Sequence, residues 1–115
     1  MAQHHELGKQ GEDFAANFLM TKGYNIIFRN WRCRHLEVDI VAMDANTLVF
    51  VEVKTRHNAM TPSDLISYRK MQFLRNAAEA YIKHFGYQGD ARFDVIILTK
   101  TPLGFRVEHI QEAFR

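Results

Sequence analysis

From Leu7 to Lys22 the residues Leu7, Gly11, Phe14, Ala15, Phe18 and Leu19 recur with helical spacing, and Gly23 follows as a stop, which predicts an amphipathic helix. Tyr24–Asn30 is then rich in β-branched and aromatic residues and predicts a strand. Two further strands are predicted at Leu36–Met43 and Leu48–Thr55, joined by a tight turn at Asp44-Ala45-Asn46-Thr47. Thr61-Pro62-Ser63-Asp64 has the residues of a helix start, with Thr61 as the cap. That helix carries Met71, Leu74, Ala78, Tyr81 and Phe85 on one stripe and stops at Gly86. Ala91–Thr99 is another strand, Pro102-Leu103-Gly104 a turn, Phe105–His109 a short strand, and the chain closes on a small amphipathic tail. The order α-β-β-β-α-β-β predicts a mixed sheet with helices packed on it.

Charge interrupts this pattern at one place. A turn centred between Ala45 and Asn46 sets Asp39 directly across from Glu52, and Glu37 across from Lys54. The flanking positions are apolar on both faces, with Val38, Ile40, Val49, Val51 and Val53 on one and Val41, Leu48 and Phe50 on the other. Such strands belong inside a sheet covered on two sides. Carboxylates brought together there suffer desolvation and mutual repulsion unless a cation or strong hydrogen bonds offset both. A hard divalent ion, Mg²⁺ or Mn²⁺, is the natural counterweight, and Lys54 beside it could serve an attacking water or a phosphate. The competing reading is a cross-strand ion-pair ladder of Glu37, Lys54 and Glu52 at a solvated sheet end; hairpin geometry alone does not separate the two. Glu12 favours the first. It lies on the Gly8–Glu12–Ala15–Leu19 line of the first helix, beside small residues that permit close packing, within reach of the same sheet end.

The chain has 115 residues, 47% hydrophobic and 24% charged, the proportions of one globular domain spanning residues 1–115. No signal segment or run of about 20 apolar residues is present, so a cytoplasmic protein is expected, without a membrane partner. The single cysteine, Cys33, excludes an internal disulfide framework and a multi-cysteine zinc site, and the six histidines lack zinc-ligand spacing. Net charge is only +2, so any nucleic-acid surface must come from local clustering. Arg29, Arg32 and Arg34 cluster around Asn30 and Trp31, a segment suited to phosphates, with Trp31 either stacking on a base step or anchoring the segment on the core. Arg56, Arg69, Lys70 and Arg75 could extend this surface, although Lys70 sits where its helix leads back to the carboxylates. Asp94, inside a strand, is expected to make a structural hydrogen bond or ion pair.

A helical Glu, a strand Asp, and Glu-Val-Lys on the next strand, followed by a long helix, resemble the PD-(D/E)XK nucleases, within them the archaeal Holliday-junction resolvases and especially the YraN-type family of small bacterial endonuclease-like proteins. The YraN-type resemblance covers nearly the whole chain: Gly8-x-x-Gly11-Glu12-x-x-Ala15, Gly23-Tyr24, Arg29-Asn30-Trp31-Arg32, Glu37-Val38-Asp39-Ile40, Phe50-Val51-Glu52-Val53-Lys54-Thr55-Arg56, Lys70 with Leu74, Ala77, Ala78 and Tyr81, and Arg92-Phe93-Asp94-Val95. One position departs: Leu36 stands where Gly usually precedes the Glu-x-Asp segment. The resemblance implies a restriction-endonuclease-like αβββαβ core, with a mixed central sheet flanked by helices. It implies a metal site from Asp39, Glu52 and the Val53 carbonyl, with Lys54 as catalytic lysine and Glu12 as an accessory acid. It implies Mg²⁺-dependent hydrolysis of branched or structured DNA, or alternatively a catalytically silent DNA-binding module. Symmetric cutting of a junction would call for a homodimer, for which Phe73, Phe105 and Phe114 are the candidate apolar contacts.

Overall fold

The computed structural model describes residues 2–57 and 66–115. Its elements run α1 (Ala2–Thr21), β1 (Asn25–Cys33), β2 (Leu36–Asp44), β3 (Thr47–Arg56), α2 (Tyr68–Phe85), β4 (Ala91–Thr101) and β5 (Gly104–Phe114). The expected α-β-β-β-α-β-β order is therefore observed. The strands form one mixed sheet in chain order, antiparallel except for the β3–β4 pair, which is parallel. Parallel neighbours require a crossover, and α2 supplies it.

The sheet has an apolar core on each face. Ala15, Leu19 and Tyr24 pack with Ile40, Val51 and Ile96 on the α1 side. Ala77, Ala78 and Tyr81 pack with Val38, Leu48 and Phe50 on the α2 side. A Cβ at Gly11 would collide with the Thr55 side chain, so this glycine is what lets α1 lie directly on β3. Glu12 is thereby set at the end of the sheet where the charged residues of β2 and β3 emerge.

Several expectations are corrected. The helix start expected at Thr61–Asp64 lies outside the described residues; α2 begins at Tyr68, where Ser67 caps it by accepting a hydrogen bond from the Lys70 N–H. Phe85, expected on the buried stripe, is 47% exposed and stacks against Tyr81 and Phe28 at the helix end. β1 continues to Cys33, so Arg29 and Arg32 are on the strand and Arg34 lies in the turn that follows it. The amphipathic tail is also strand: Glu112, at φ 49°, makes an irregularity that shifts the β4–β5 register and brings Phe114 onto Phe93, ring centroids 4.6 Å apart. Phe114 is thus buried, and Phe105 is half-buried with its ring on Phe14 of α1.

Candidate active site

The β2–β3 register matches the expected turn, running from Asp44–Thr47 to Ile40–Val51. There it stops, one step before Asp39 and Glu52. Beyond that point Leu36–Val38 pair only with β1, while Glu52–Arg56 pair with β4. The two strands part, and the gap between them is the site. Asp39 bridges it: the Val53 N–H donates to Asp39 Oδ2 at 2.8 Å, so the carboxylate takes the place of a missing ladder acceptor. This requires the Asp39 side chain to lie in the plane of the sheet. The alternation of faces breaks accordingly, with Val38 in the α2-side core and Ile40 in the α1-side core. The expectation that Val38 and Ile40 share a face fails for this reason.

Glu52 and Lys54 follow the regular alternation onto the α2 side, where Lys70 Nζ lies 3.5 Å from Glu52 Oε2 and over the Phe73 ring. Lys70 thus turns toward the carboxylates, as its helical position suggests. Glu37 pairs in register with Arg32, which donates to it at 3.2 Å.

The electrostatics of the pair are unfavourable as they stand. Burial, and then the neighbouring Glu52 carboxylate, push the Asp39 carboxyl up to about 7, against the opposing pull of the Val53 N–H and Lys70. Glu12 is also raised, by burial and then by the charge of Asp39, which places it in electrostatic contact with the site. Arg29, 4.0 Å from Glu12, pulls the other way.

The donor set suits a hard divalent ion. Among the described residues no group of three or more His, Cys, Asp or Glu side chains is placed to hold a metal. Mg²⁺, however, commonly takes only one or two carboxylates and keeps several waters. Asp39 and Glu52 provide two carboxylates under mutual repulsion. In an extended strand the N–H and C=O of one residue project toward the same neighbour, so the Val53 carbonyl faces the same gap as its N–H.

The basic residues do not form a single patch. Arg29 and Arg32 line a groove of about 550 Å³ between α1 and β1, together with Lys9, Glu12 and Asp13. Arg29 donates to Asp13 Oδ1 at 2.7 Å. Arg34 instead borders a hollow beside Glu79 and Lys83 of α2. Trp31 is half-buried, edge-on to Tyr81 at 5.1 Å, in the anchoring arrangement. Arg56 turns inward: its Nε donates to Thr99 Oγ1 at 3.2 Å, and its Nη1 is buried with no hydrogen-bond partner among the described residues. Arg75 binds the Arg115 carbonyl and lies over Phe114.

Asp94 is structural, as expected, but its partners are not foreseeable from its strand. It accepts from Arg92 Nε at 3.0 Å and the Glu112 N–H at 3.1 Å, and pairs with His109 Nε2 at 2.8 Å. Lys22 contacts His109 Nδ1 at 2.8 Å, and Arg92 also donates to Asp44. Burial alone would raise Asp94, yet these hydrogen bonds prevail and hold it below the ordinary range. Burial and the charge of Asp94 push the Tyr24 hydroxyl up to about 12. The Arg92-x-Asp94 spacing on one strand face is the available signal; the remaining partners come from distant elements.

Fold and site together define an α/β protein with a five-stranded mixed sheet and an acidic pair where two of its strands part. The chain belongs to the uncharacterised protein family UPF0102, whose family model matches residues 11–98. It is 46% identical to a UPF0102 protein of Bacteroides thetaiotaomicron and 43% identical to one of Phocaeicola vulgatus, each alignment covering 99% of this chain and 96% of the relative. It is also 43% identical to a UPF0102 protein of Chlorobium chlorochromatii, over 95% of this chain and 91% of that one. Among the described residues no helix is long and apolar enough to cross a membrane.

Proposed function

We propose that this protein is a divalent-metal-dependent endonuclease of the PD-(D/E)XK type, built on a restriction-endonuclease-like core and acting on branched or structured DNA. The observation that carries the reading is Asp39, held in the sheet plane by the Val53 N–H and forced against Glu52 in the opening between β2 and β3. Asp39, Glu52 and the Val53 carbonyl would hold Mg²⁺ or Mn²⁺, and Lys54 is the catalytic lysine. The bound ion would supply Lewis-acid activation of water and phosphate. Lys54, two residues beyond Glu52 on the same strand, is placed to orient that water and to offset charge developing on the phosphate. Glu12 serves as an accessory acid from α1. A homodimer would place two such sites across a two-fold axis for paired cuts.

One observation favours the alternative, a catalytically silent DNA-binding module: Lys70 already provides Glu52 with a cation. Incubation of the purified protein with a labelled four-way junction, with and without Mg²⁺, separates the two. Metal-dependent cleavage that disappears in the Glu52→Gln variant supports the nuclease. Binding without cleavage supports the module.

For the DNA surface, alanine at Arg29, Arg32 and Arg34 together is expected to flatten the salt dependence of binding by up to ~0.9 log–log units for each phosphate that these arginines neutralise. Titrations across a salt series check this; an unchanged slope removes the segment from the interface.

A further inference from the structure

The groove between α1 and β1 shares Glu12 with the acidic site. Its β1 wall depends on a bend at Asn30, whose φ of 55° is a left-handed backbone that asparagine adopts more readily than most residues. Face alternation breaks there: Phe28 and Trp31, three residues apart, both enter the α2-side core. By the same break Arg29 and Arg32, also three apart, both line the groove, where strict alternation would send them to opposite faces. Lys9 joins them from α1. Each of these three cations already holds an acid of this chain. Asp13 Oδ1 accepts from Arg29 Nη2 at 2.7 Å, and Asp13 Oδ2 accepts from Lys9 Nζ at 3.1 Å. Arg32 is taken by Glu37.

A carboxylate whose two oxygens are gripped by different cations stands as the two non-bridging oxygens of a phosphodiester would stand. The side chains of Arg29, Asp13 and Lys9 are 38%, 43% and 78% exposed, and ion pairs this open to water hold weakly and exchange readily. We propose that Lys9 and Arg29 form a phosphate seat for the nucleic-acid strand that passes the acidic site, and that Asp13 occupies this seat until a phosphodiester displaces it. The identity of the anion rests on the nuclease reading; the seat and its occupant rest on the ion pairs alone. Such a seat reads charge and position, not base sequence. With Asp13 in place every strand must compete for the two cations, so backbone held only at the groove is rejected and a strand also anchored at the acidic site is kept. The grip of Arg29, and then of Lys9, holds the Asp13 carboxyl below its ordinary range, which gives the exchange a spectroscopic signature.

The test measures binding of a labelled four-way junction to the full chain, without metal and at low salt. Asp13→Asn should tighten binding about fivefold, the upper reach of one exposed ion pair. Glu108→Gln removes the same charge from an exposed position on β5, at the opposite edge of the sheet from β1, and so measures the part due to net charge alone. In a Lys9→Gln/Arg29→Gln background, Asp13→Asn should gain no more than Glu108→Gln does. In ¹³C-labelled protein the Asp13 carboxyl signal should move when the junction is added to the wild type, and stay in place when it is added to the Lys9→Gln/Arg29→Gln variant. A gain from Asp13→Asn no larger than that from Glu108→Gln, or a wild-type Asp13 signal unmoved by bound junction, would overturn the proposal and leave the nuclease reading standing. Failure of both the wild type and Asp13→Asn to bind the junction would defeat the two together.

Discussion

Asp39→Asn should make the metal-free protein more stable at pH 8 while removing its divalent-ion binding. In the folded chain the Asp39 carboxyl is raised to about 7 by burial and by Glu52, well above its value in an unfolded chain. The folded state therefore binds the extra proton more tightly. The associated stability is present in acid and is lost as pH rises from about 4 through about 7. Asparagine carries no charge to desolvate and can still accept from the Val53 N–H through its side-chain oxygen. At pH 8 the variant should gain about 2–4 kcal/mol, the span corresponding to a displacement of this size shared with Glu52. Near pH 4 the gain should nearly vanish. Urea unfolding at the two pH values, without metal, measures it. Mg²⁺ should stabilise the wild type at pH 8 and leave the variant unchanged, because only binding to the folded state shifts the equilibrium. A variant no more stable than wild type at pH 8 would mean that the repulsion is already relieved within the chain.

Asp94 should behave in the opposite way. Its side chain is fully buried beside Arg92 and His109, and Glu112 donates to it through the backbone. Asp94→Ala leaves a guanidinium 16% exposed and an imidazole 4% exposed without their shared acceptor. Breaking a buried pair from one side costs about 3–5 kcal/mol, a large part of the stability of a domain this size. The shift in pKa is downward, so the contribution of Asp94 is present above the unfolded carboxylate value and fades as pH falls. The two aspartates thus give wild-type stability opposing slopes on the two sides of the unfolded carboxylate value, Asp39 above it and Asp94 below it. Comparing the pH profiles of Asp39→Asn and of the conservative Asp94→Asn separates them; a flat profile difference for Asp94→Asn would remove its charge from the network.

What can be read in the sequence is mostly local. The β2–β3 register follows from a short turn and period-two alternation, so the approach of Asp39 to Glu52 is accessible from spacing alone. Gly11 signals the close approach of α1, and Glu12 is placed from its neighbours. The in-plane orientation of Asp39 is not accessible, because alternation assigns each strand residue to one face or the other and has no third option. The same limit hides the exchange of Val38 to the opposite core and the bend at Asn30. β5 is underestimated because the irregularity at Glu112 interrupts the alternation that would reveal its last residues. Apart from Arg92 on its own strand, the partners of Asp94 lie beyond any local pattern: Tyr24, His109 and the Glu112 N–H come from other elements or their entrances, and only the fold gathers them.

The parting of β2 from β3 has a temporal consequence. Their hairpin is closed by a short turn and can form early, on a timescale of roughly 1–10 μs. The parallel β3–β4 pair must wait for the chain to return through α2, a non-local closure of the kind that slows folding. The acidic residues are therefore brought near one another while water still surrounds them, and the dry walls arrive afterwards. Their mutual repulsion is felt mainly after the folding barrier has been crossed. Its kinetic imprint belongs on the rate at which the native molecule opens, not on the rate at which it forms, and a bound cation would act as a brake on opening.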